Sequence, residues 1–359
     1  MPWTEVSTMT LRKEFVALAS QPGANVSDLC RRFQISRKTG YKWIRRHQNI
    51  PCENFADRSR QPRHSPDKTD AQIEQLIILL REKHPEWGGR KLKRRLEDLG
   101  HNGIPSPSTI TEILKRNNLL HTSSSGSHAH WQRFEHEQPN DLWQMDFKGP
   151  IQTHREEGHA LTVLDDCSRY SLGIKICSTQ TFQPTYLALR DIFRRYGVPW
   201  RMTMDNGNPW GNPHGRWTKF AAWLIDQGIG VSYSRPRHPQ TQGKDERFHR
   251  TLKIELLNRV NFKNRNHCQQ CCDDWRNIYN HDRPHEALKL GVPSSHYTPS
   301  LRPYQECVQE YEYGVGDEVR HVNPNGQISL RGKGYKVSEA FAGRRIAIRP
   351  TNVDGILAV

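Results

Sequence analysis

A chain of 359 residues is long enough for two or more domains and a sizeable buried core. Its 53 Lys and Arg against 38 Asp and Glu give a net charge of +15 and a pI near 9.6, an excess suited to a polyanionic partner. No apolar run approaches the ~20 residues that span a bilayer, and the N-terminus MPWTEVSTMTLRKEF lacks the basic-then-apolar secretory pattern. The expectation is therefore a cytoplasmic protein with reduced cysteines and no membrane partner.

The positive charge is uneven: residues 1–135 hold 23 basic and 14 acidic side chains, residues 136–260 hold 17 and 13, and residues 261–359 hold 13 and 11. Within that basic first third, Thr10 to Ala19 reads as a helix, broken by Gln21-Pro22-Gly23. Ser27 reads as the cap of a second helix, Asp28 to Phe33. Ser36 caps a third, Arg37 to Arg46, with Tyr41, Trp43 and Ile44 available for packing. Two short helices and a capped third fit a helix-turn-helix over residues 1–50. Its third helix would present Arg37, Lys38, Lys42, Arg45 and Arg46 to a DNA groove. The alternative is a small bundle with a solvated basic face.

After a polar stretch, Lys68 to Lys83 carries an apolar stripe at Ile73, Leu76, Ile77, Leu79 and Leu80. Gly88 to Leu99 follows, and Ser106-Pro107-Ser108 starts a helix that runs on from Thr109 to Leu120. These elements predict a second helix-turn-helix unit over 64–120. Its basic run Arg90 to Arg95 reads as phosphate contacts or as a solvated face. Residues 121–138, with Ser123-Ser124-Ser125-Gly126-Ser127, read as a linker.

Strand and helix patterns then alternate. Strands are expected near 142–148, 159–165, 170–177, 200–204 and 229–234, and helices near 183–196 and 215–227. Further helices are expected from Glu246 to about Arg259, and over 266–280. The tail breaks into short β-like runs at 317–322, 327–330, 334–337, 344–348 and 355–359. Pro324-Asn325-Gly326, Gly332-Lys333-Gly334 and Asn352-Val353-Asp354-Gly355 lie between them as turns.

Three acidic residues stand at element ends: Asp146 in WQMDFKG, Asp205 in MTMDNGNPWG and Glu246 in GKDERFHRTLK. Carboxylates so placed can converge on hard divalent cations. Asp245, beside Glu246, is the rival ligand, since successive helical residues point about 100° apart. Cys268 and Cys271 form a CxxC, with His281 and His285 at HxxxH spacing. The gap between the pairs is short for a zinc finger, and cysteines on a helix are the simpler reading.

The motifs WQMDFKGP, VLDDCSRY, MDNGNPWG, RPRHPQTQGKDERFHRTLKIELL and YNHDRPHEAL, in that order, span about residues 135–290. In them the chain resembles bacterial insertion-sequence transposases of the retroviral-integrase-like DDE class. The resemblance implies an α/β ribonuclease-H-like catalytic core with a mixed sheet at 139–290. It also implies a small all-β SH3-like barrel at 315–359, the tail of a multidomain chain with an α-helical helix-turn-helix N-terminal region. Asp146, Asp205 and Glu246 would be both catalytic residues and metal ligands, holding two Mg²⁺ or Mn²⁺ per site. Lys253 matches the family's phosphate-contacting basic residue, and Arg250 lies on the same helical face. For both, pairing along a surface helix is the plainer alternative. Asp165 reads as structural or as a support behind the metal ligands, Asn206-Gly207 as a turn, and Trp210 as DNA-channel lining or buried packing. YNHDRPHEAL would end and dock a helix. The implied function is a transposase that cleaves and transfers strands of double-stranded DNA as a homo-oligomer, nucleoid-associated in a bacterium. A simple metal-dependent nuclease and a DNA-binding repressor are the rival readings.

Overall fold

The computed structural model describes residues 7–49, 55–57, 68–120, 136–211, 217–234, 243–308, 311–353 and 356–358. Most of the expected linker, and Arg235, Arg237, His238, Pro239 and Gln242, lie outside these residues. The chain divides into two compact units, residues 1–68 and 69–359.

In the first unit, α1 (Thr8–Ala19), α2 (Val26–Arg32) and α3 (Arg37–Asn49) enclose Phe15, Val16, Cys30 and Trp43. The α2 cap is Asn25, whose carbonyl oxygen accepts from the Ser27 and Asp28 amides at 3.0 and 3.3 Å, and not the expected Ser27. Ser36 does cap α3, accepting from Thr39 N at 3.2 Å. Gly40 sits mid-helix because a Cβ there would lie 2.6 Å from Cys30 Sγ. Tyr41, expected to pack, is exposed, while Arg46 is half-buried. The cause is Trp43: its buried ring takes up Arg12, Arg46 and Lys42 at 4.3, 5.0 and 5.2 Å. Arg37, Lys38, Lys42 and Arg45 remain exposed.

The second unit begins with α4 (Ala71–Lys83), α5 (Gly89–Asp98) and α6 (Pro107–Arg116), packed around Ile77, Trp87, Leu92, Leu96, Ile110, Ile113 and Leu114. Asp70 and Ser106 cap α4 and α6. The basic run on α5 faces carboxylates: Arg90 meets Glu286 at 3.1 Å and Arg95 meets Asp282 at 2.5 Å. Lys93 and Arg94 pair within the helix with Glu97 and Asp98 at 3.7 and 2.9 Å. Arg95 is thus drawn against Asp282 at the end of a later helix, while Arg90 and Arg94 keep 66% and 46% of their side-chain surface exposed.

The core sheet has the order β3-β2-β1-β4-β5. Strands β1 (Leu142–Gln152), β2 (Glu157–Asp165) and β3 (Ser171–Cys177) are antiparallel, while β4 (Arg201–Met204) and β5 (Gly230–Tyr233) run parallel to β1. Successive side chains of β2 point to opposite faces. Leu161 and Val163 join the cluster beneath α7 (Phe182–Tyr196) and α8 (Lys219–Asp226). Ala160 and Leu164 join the cluster of α9 (Gly243–Leu252) and α10 (Arg265–His281). Between those helices Lys253–Leu257 forms a π-helical turn. Cys268 and Cys272 are buried in this second cluster. His285, instead, contacts Tyr279 Oη at 3.4 Å.

YNHDRPHEAL ends α10 through buried pairings. Asn280 bonds both backbone groups of Ser171 at 2.9 Å, and Arg283 Nε donates to Glu255 at 2.9 Å. The motif also supplies Asp282 and Glu286 to α5. The tail forms β6 (Glu318–His321), β7 (Gln327–Leu330), β8 (Lys333–Lys336), β9 (Arg345–Pro350) and β10 (Leu357–Ala358). They make a three-stranded ladder, β10-β9-β6, and a β7-β8 hairpin over Val322, Ile328, Leu330 and Ile348. The hairpin turn is Arg331-Gly332, both at positive φ, and Lys333 and Gly334 belong to β8.

Candidate active site

Asp146 is the fifth residue of β1, and Asp205 directly follows β4. The parallel register pairs Leu142 with Arg201, Trp143 with Met202 and Gln144 with Thr203; continued, it sets Asp146 level with Asp205. Neighbouring strands lie about 4.8 Å apart, so two carboxyl groups share one sheet edge. Burial and the charge of Asp205 push the Asp146 carboxyl up to about 6, against a hydrogen bond from the Phe147 amide.

Asp205 is held by its own loop. Its Oδ1 accepts from Gly207 N at 2.9 Å and from the indole Nε1 of Trp210 at 2.5 Å. Trp210 is buried and stacked on Phe147, with centroids 5.1 Å apart, so it packs and orients a carboxylate at once. Gly207 is needed for close approach, since a Cβ there would stand 3.0 Å from both Asp205 oxygens.

The N-terminal turn of α9 carries Asp245 and Glu246 on different faces. Glu246 is exposed and its charge reaches Asp146. Asp245 is fully buried, with both carboxylate oxygens unpartnered. Burial, then Asp146 and Asp166, raise its pKa well above the usual carboxylate range. Asp166 itself accepts from Lys244 Nζ at 2.5 Å and from Gln144 Nε2 at 2.8 Å. Asp165 is structural, accepting from Asn140 N, Ser168 N and Ser168 Oγ. Among the described residues, no three His, Cys, Asp or Glu side chains are grouped so as to hold one ion.

His249, one turn beyond Glu246, does not stand out in the sequence. It is buried, with Nε2 2.7 Å from Thr162 Oγ1 and Nδ1 3.7 Å from Asp146 Oδ2. Burial and Lys148 push its pKa down to about 4. The only sequence signal is its spacing from Glu246 within DERFHRTLK. Arg250 is exposed. Lys253, also exposed, opens the π-helical turn and, with Lys148, lines a cavity of about 560 Å³ walled further by residues 149–154 and Leu257, Asn258, Val260, Asn261 and Phe262. Arg37, Lys38, Lys42, Arg45 and Arg46 belong to the other compact unit.

Residues 136–239 and 227–293 match family models described as Integrase core domain. Residues 7–51 and 39–114 match models described as Homeodomain-like domain, and residues 317–359 match the IS481 family transposase, C-terminal domain. Fold and matched domains thus define the class, an integrase-like core between homeodomain-like helices and an all-β end. Together with insertion-element relatives they support an insertion-sequence transposase of the DDE/integrase class. One relative is the insertion element IS476 39.2 kDa protein of Xanthomonas euvesicatoria, 28% identical over 46% of this chain and 46% of that protein. Another is the insertion element IS407 31.7 kDa protein of Burkholderia multivorans, 26% identical over 44% of this chain and 54% of that protein. The chain spans about half the length of these curated relatives. A simian T-cell lymphotropic virus intasome chain, solved with the PP2A regulatory subunit B56 gamma, is 15% identical at a TM-score of 0.40, over 74% of this chain and 94% of that one.

Proposed function

We propose that this protein is a DNA transposase that binds the ends of its element, cleaves the 3′ strands and joins them to target DNA. The observation that carries the reading is the level placement of Asp146, on β1, and Asp205, directly after the parallel strand β4, close enough that the charge of Asp205 helps to raise the Asp146 carboxyl. Asp146, Asp205 and Glu246 are the proposed metal ligands and catalytic residues. The donor type fits hard cations: the Asp146 carboxyl, raised by burial and then by the charge of Asp205, stands near a buried carboxylate, Asp245, without a partner. Two Mg²⁺ or Mn²⁺ would activate the attacking oxygen and stabilise the leaving one. The chain's own part is positional. Trp210 and Gly207 fix Asp205, the Phe147 amide orients Asp146, and Glu246 enters from the first turn of α9.

Double-stranded DNA would be held by Arg37, Lys38, Lys42, Arg45 and Arg46 on α3, and near the reacting phosphate by Lys253 and Arg250. A homo-oligomer pairing two ends is the proposed working form. The test is cleavage and joining on DNA flanking the gene, with Mg²⁺ or Mn²⁺. Asp146→Asn, Asp205→Asn and Glu246→Gln should each abolish chemistry and retain end binding. Cleavage surviving in any one removes that residue from the site.

A further inference from the structure

Lys244 is the second residue of α9, where a cation is ill placed. The N-terminal end of a helix carries partial positive charge, so a lysine there weakens the helix on its own account. Its side chain nevertheless folds inward, only 16% exposed, and its Nζ meets Asp166 Oδ2 at 2.5 Å. The same Nζ donates to the Asp166 carbonyl oxygen at 3.1 Å. The Asp166 carboxylate is 2% exposed, and a buried charge is retained at low cost only where it is paired and hydrogen-bonded.

Asp166 is anchored in turn to the strand of Asp146. Its backbone N–H donates to the Leu142 carbonyl oxygen at 2.9 Å, and its Oδ1 accepts from Gln144 Nε2 at 2.8 Å. The His136 amide donates to its Oδ2 at 3.0 Å. Gln144 and Asp146 stand two apart on β1 and share a face of the strand. Lys244 and Glu246 stand two apart at the start of α9, about 200° around the helix axis. Turning Lys244 inward therefore leaves Glu246 outward, as its exposure shows. Asp245 adds no such anchor, since both its oxygens are buried without a hydrogen-bond partner. We propose that Asp166 and Lys244 are positioning residues for Glu246, clamping the first turn of α9 to β1 so that the glutamate is held at a fixed place relative to Asp146. This inference rests on Glu246 acting in the reaction.

The test is amide hydrogen exchange by mass spectrometry on the full, metal-free chain, alongside cleavage and end binding on DNA flanking the gene. In Lys244→Met, exchange over the first turns of α9 should quicken roughly tenfold or more, and by far less over α10. Cleavage should fall about 100-fold with end affinity unchanged, because a misplacement of about 1 Å is that costly. Lys244→Arg, which keeps the charge, should recover most of both. The double variant Lys244→Met with Asp166→Asn strands neither charge and should show the same local loss, so the test survives if the single variant fails to fold. Wild-type exchange rates in α9 of both the single and the double variant overturn the clamp. Faster exchange with undiminished cleavage overturns its bearing on Glu246. Full cleavage by Glu246→Gln would instead overturn the reading of Glu246 on which the proposal stands, whatever the exchange rates are.

Discussion

The indole N–H of Trp210 donates to Asp205 Oδ1 at 2.5 Å while its ring stacks on Phe147, the residue after Asp146. One side chain thus couples the loop after β4 to the end of β1 and fixes a carboxylate between them. Trp210→Phe keeps most of the ring and removes the donor. A hydrogen bond to a charged group contributes about 1.5–3 kcal/mol to stability, so Trp210→Phe should lower Tm by a few degrees and, by releasing Asp205, lower strand cleavage roughly tenfold or more. Trp210→Ala should also lower stability by about 3–5 kcal/mol. Unimpaired cleavage kinetics in Trp210→Phe would show that the bond does not position Asp205.

Asp245 predicts the opposite kind of effect. Its two carboxylate oxygens are buried without partners, beside Asp146 and Asp166. In metal-free protein at neutral pH, Asp245→Asn should raise Tm by about 2 °C or more, since folding buries a carboxyl that is ionised in the unfolded chain and raises its pKa, a penalty that the amide does not carry. Glu246→Gln, at an exposed position, should leave Tm nearly unchanged. Thermal melts of the two variants side by side decide it.

The Arg283–Glu255 pair ties α10 to the π-helical turn, with side chains 9% and 11% exposed. Glu255→Ala strands a buried guanidinium and should cost about 3–5 kcal/mol. Glu255→Ala with Arg283→Met should cost clearly less. Equal losses in urea unfolding would mean the pair is not coupled.

Acid should weaken the protein through histidines kept neutral by burial. His84 is lowered to about 4 and His285 to about 3, burial being the largest cause for each. Above about pH 6.5 neither state is protonated and the two groups have no effect. As pH falls below that value the unfolded chain takes up protons that the folded chain refuses. Stability should therefore drop as pH falls towards the two folded-state values, by up to about 1.4 kcal/mol per pH unit for each histidine. His285→Gln should flatten the slope of Tm against pH.

DNA binding should discriminate between the two basic helices. Replacing exposed Arg37, Lys38 and Lys42 by Ala should weaken binding and lower the salt slope by about 0.9 for each phosphate no longer neutralised. Arg90 and Arg95, already facing Glu286 and Asp282, should change the slope little. A large drop for Arg90→Ala with Arg95→Ala would place α5 on DNA.

Much of this was legible in the residues. Caps at Ser36 and Ser106, apolar stripes on the helices and alternation in the strands each depend on neighbours within a turn or a pleat, and the elements formed where those signals stood. Asn25 displaced Ser27 as a cap because α2 already starts at Val26, which leaves the Ser27 and Asp28 amides as the free first-turn donors, within reach of the Asn25 side chain. The carboxylates at 146, 205 and 246 were visible through their motifs; Asp205 and Glu246 do stand at element ends, whereas β1 runs on to Gln152 and leaves Asp146 in mid-strand.

What the sequence alone could not decide was environment. Asp245 and Glu246 are adjacent, and only packing against the sheet sends one inward and leaves the other exposed. Arg90 to Arg95 look alike as letters, but carboxylates far along the chain, at Glu286 and Asp282, take up Arg90 and Arg95. His249 gains its surroundings from Thr162, 87 residues earlier, whose hydroxyl it contacts at 2.7 Å. Local sequence determined which elements form and which motifs carry the acids. The tertiary fold decided which side chains lose water and meet distant partners, and those two changes set a group's charge and chemistry.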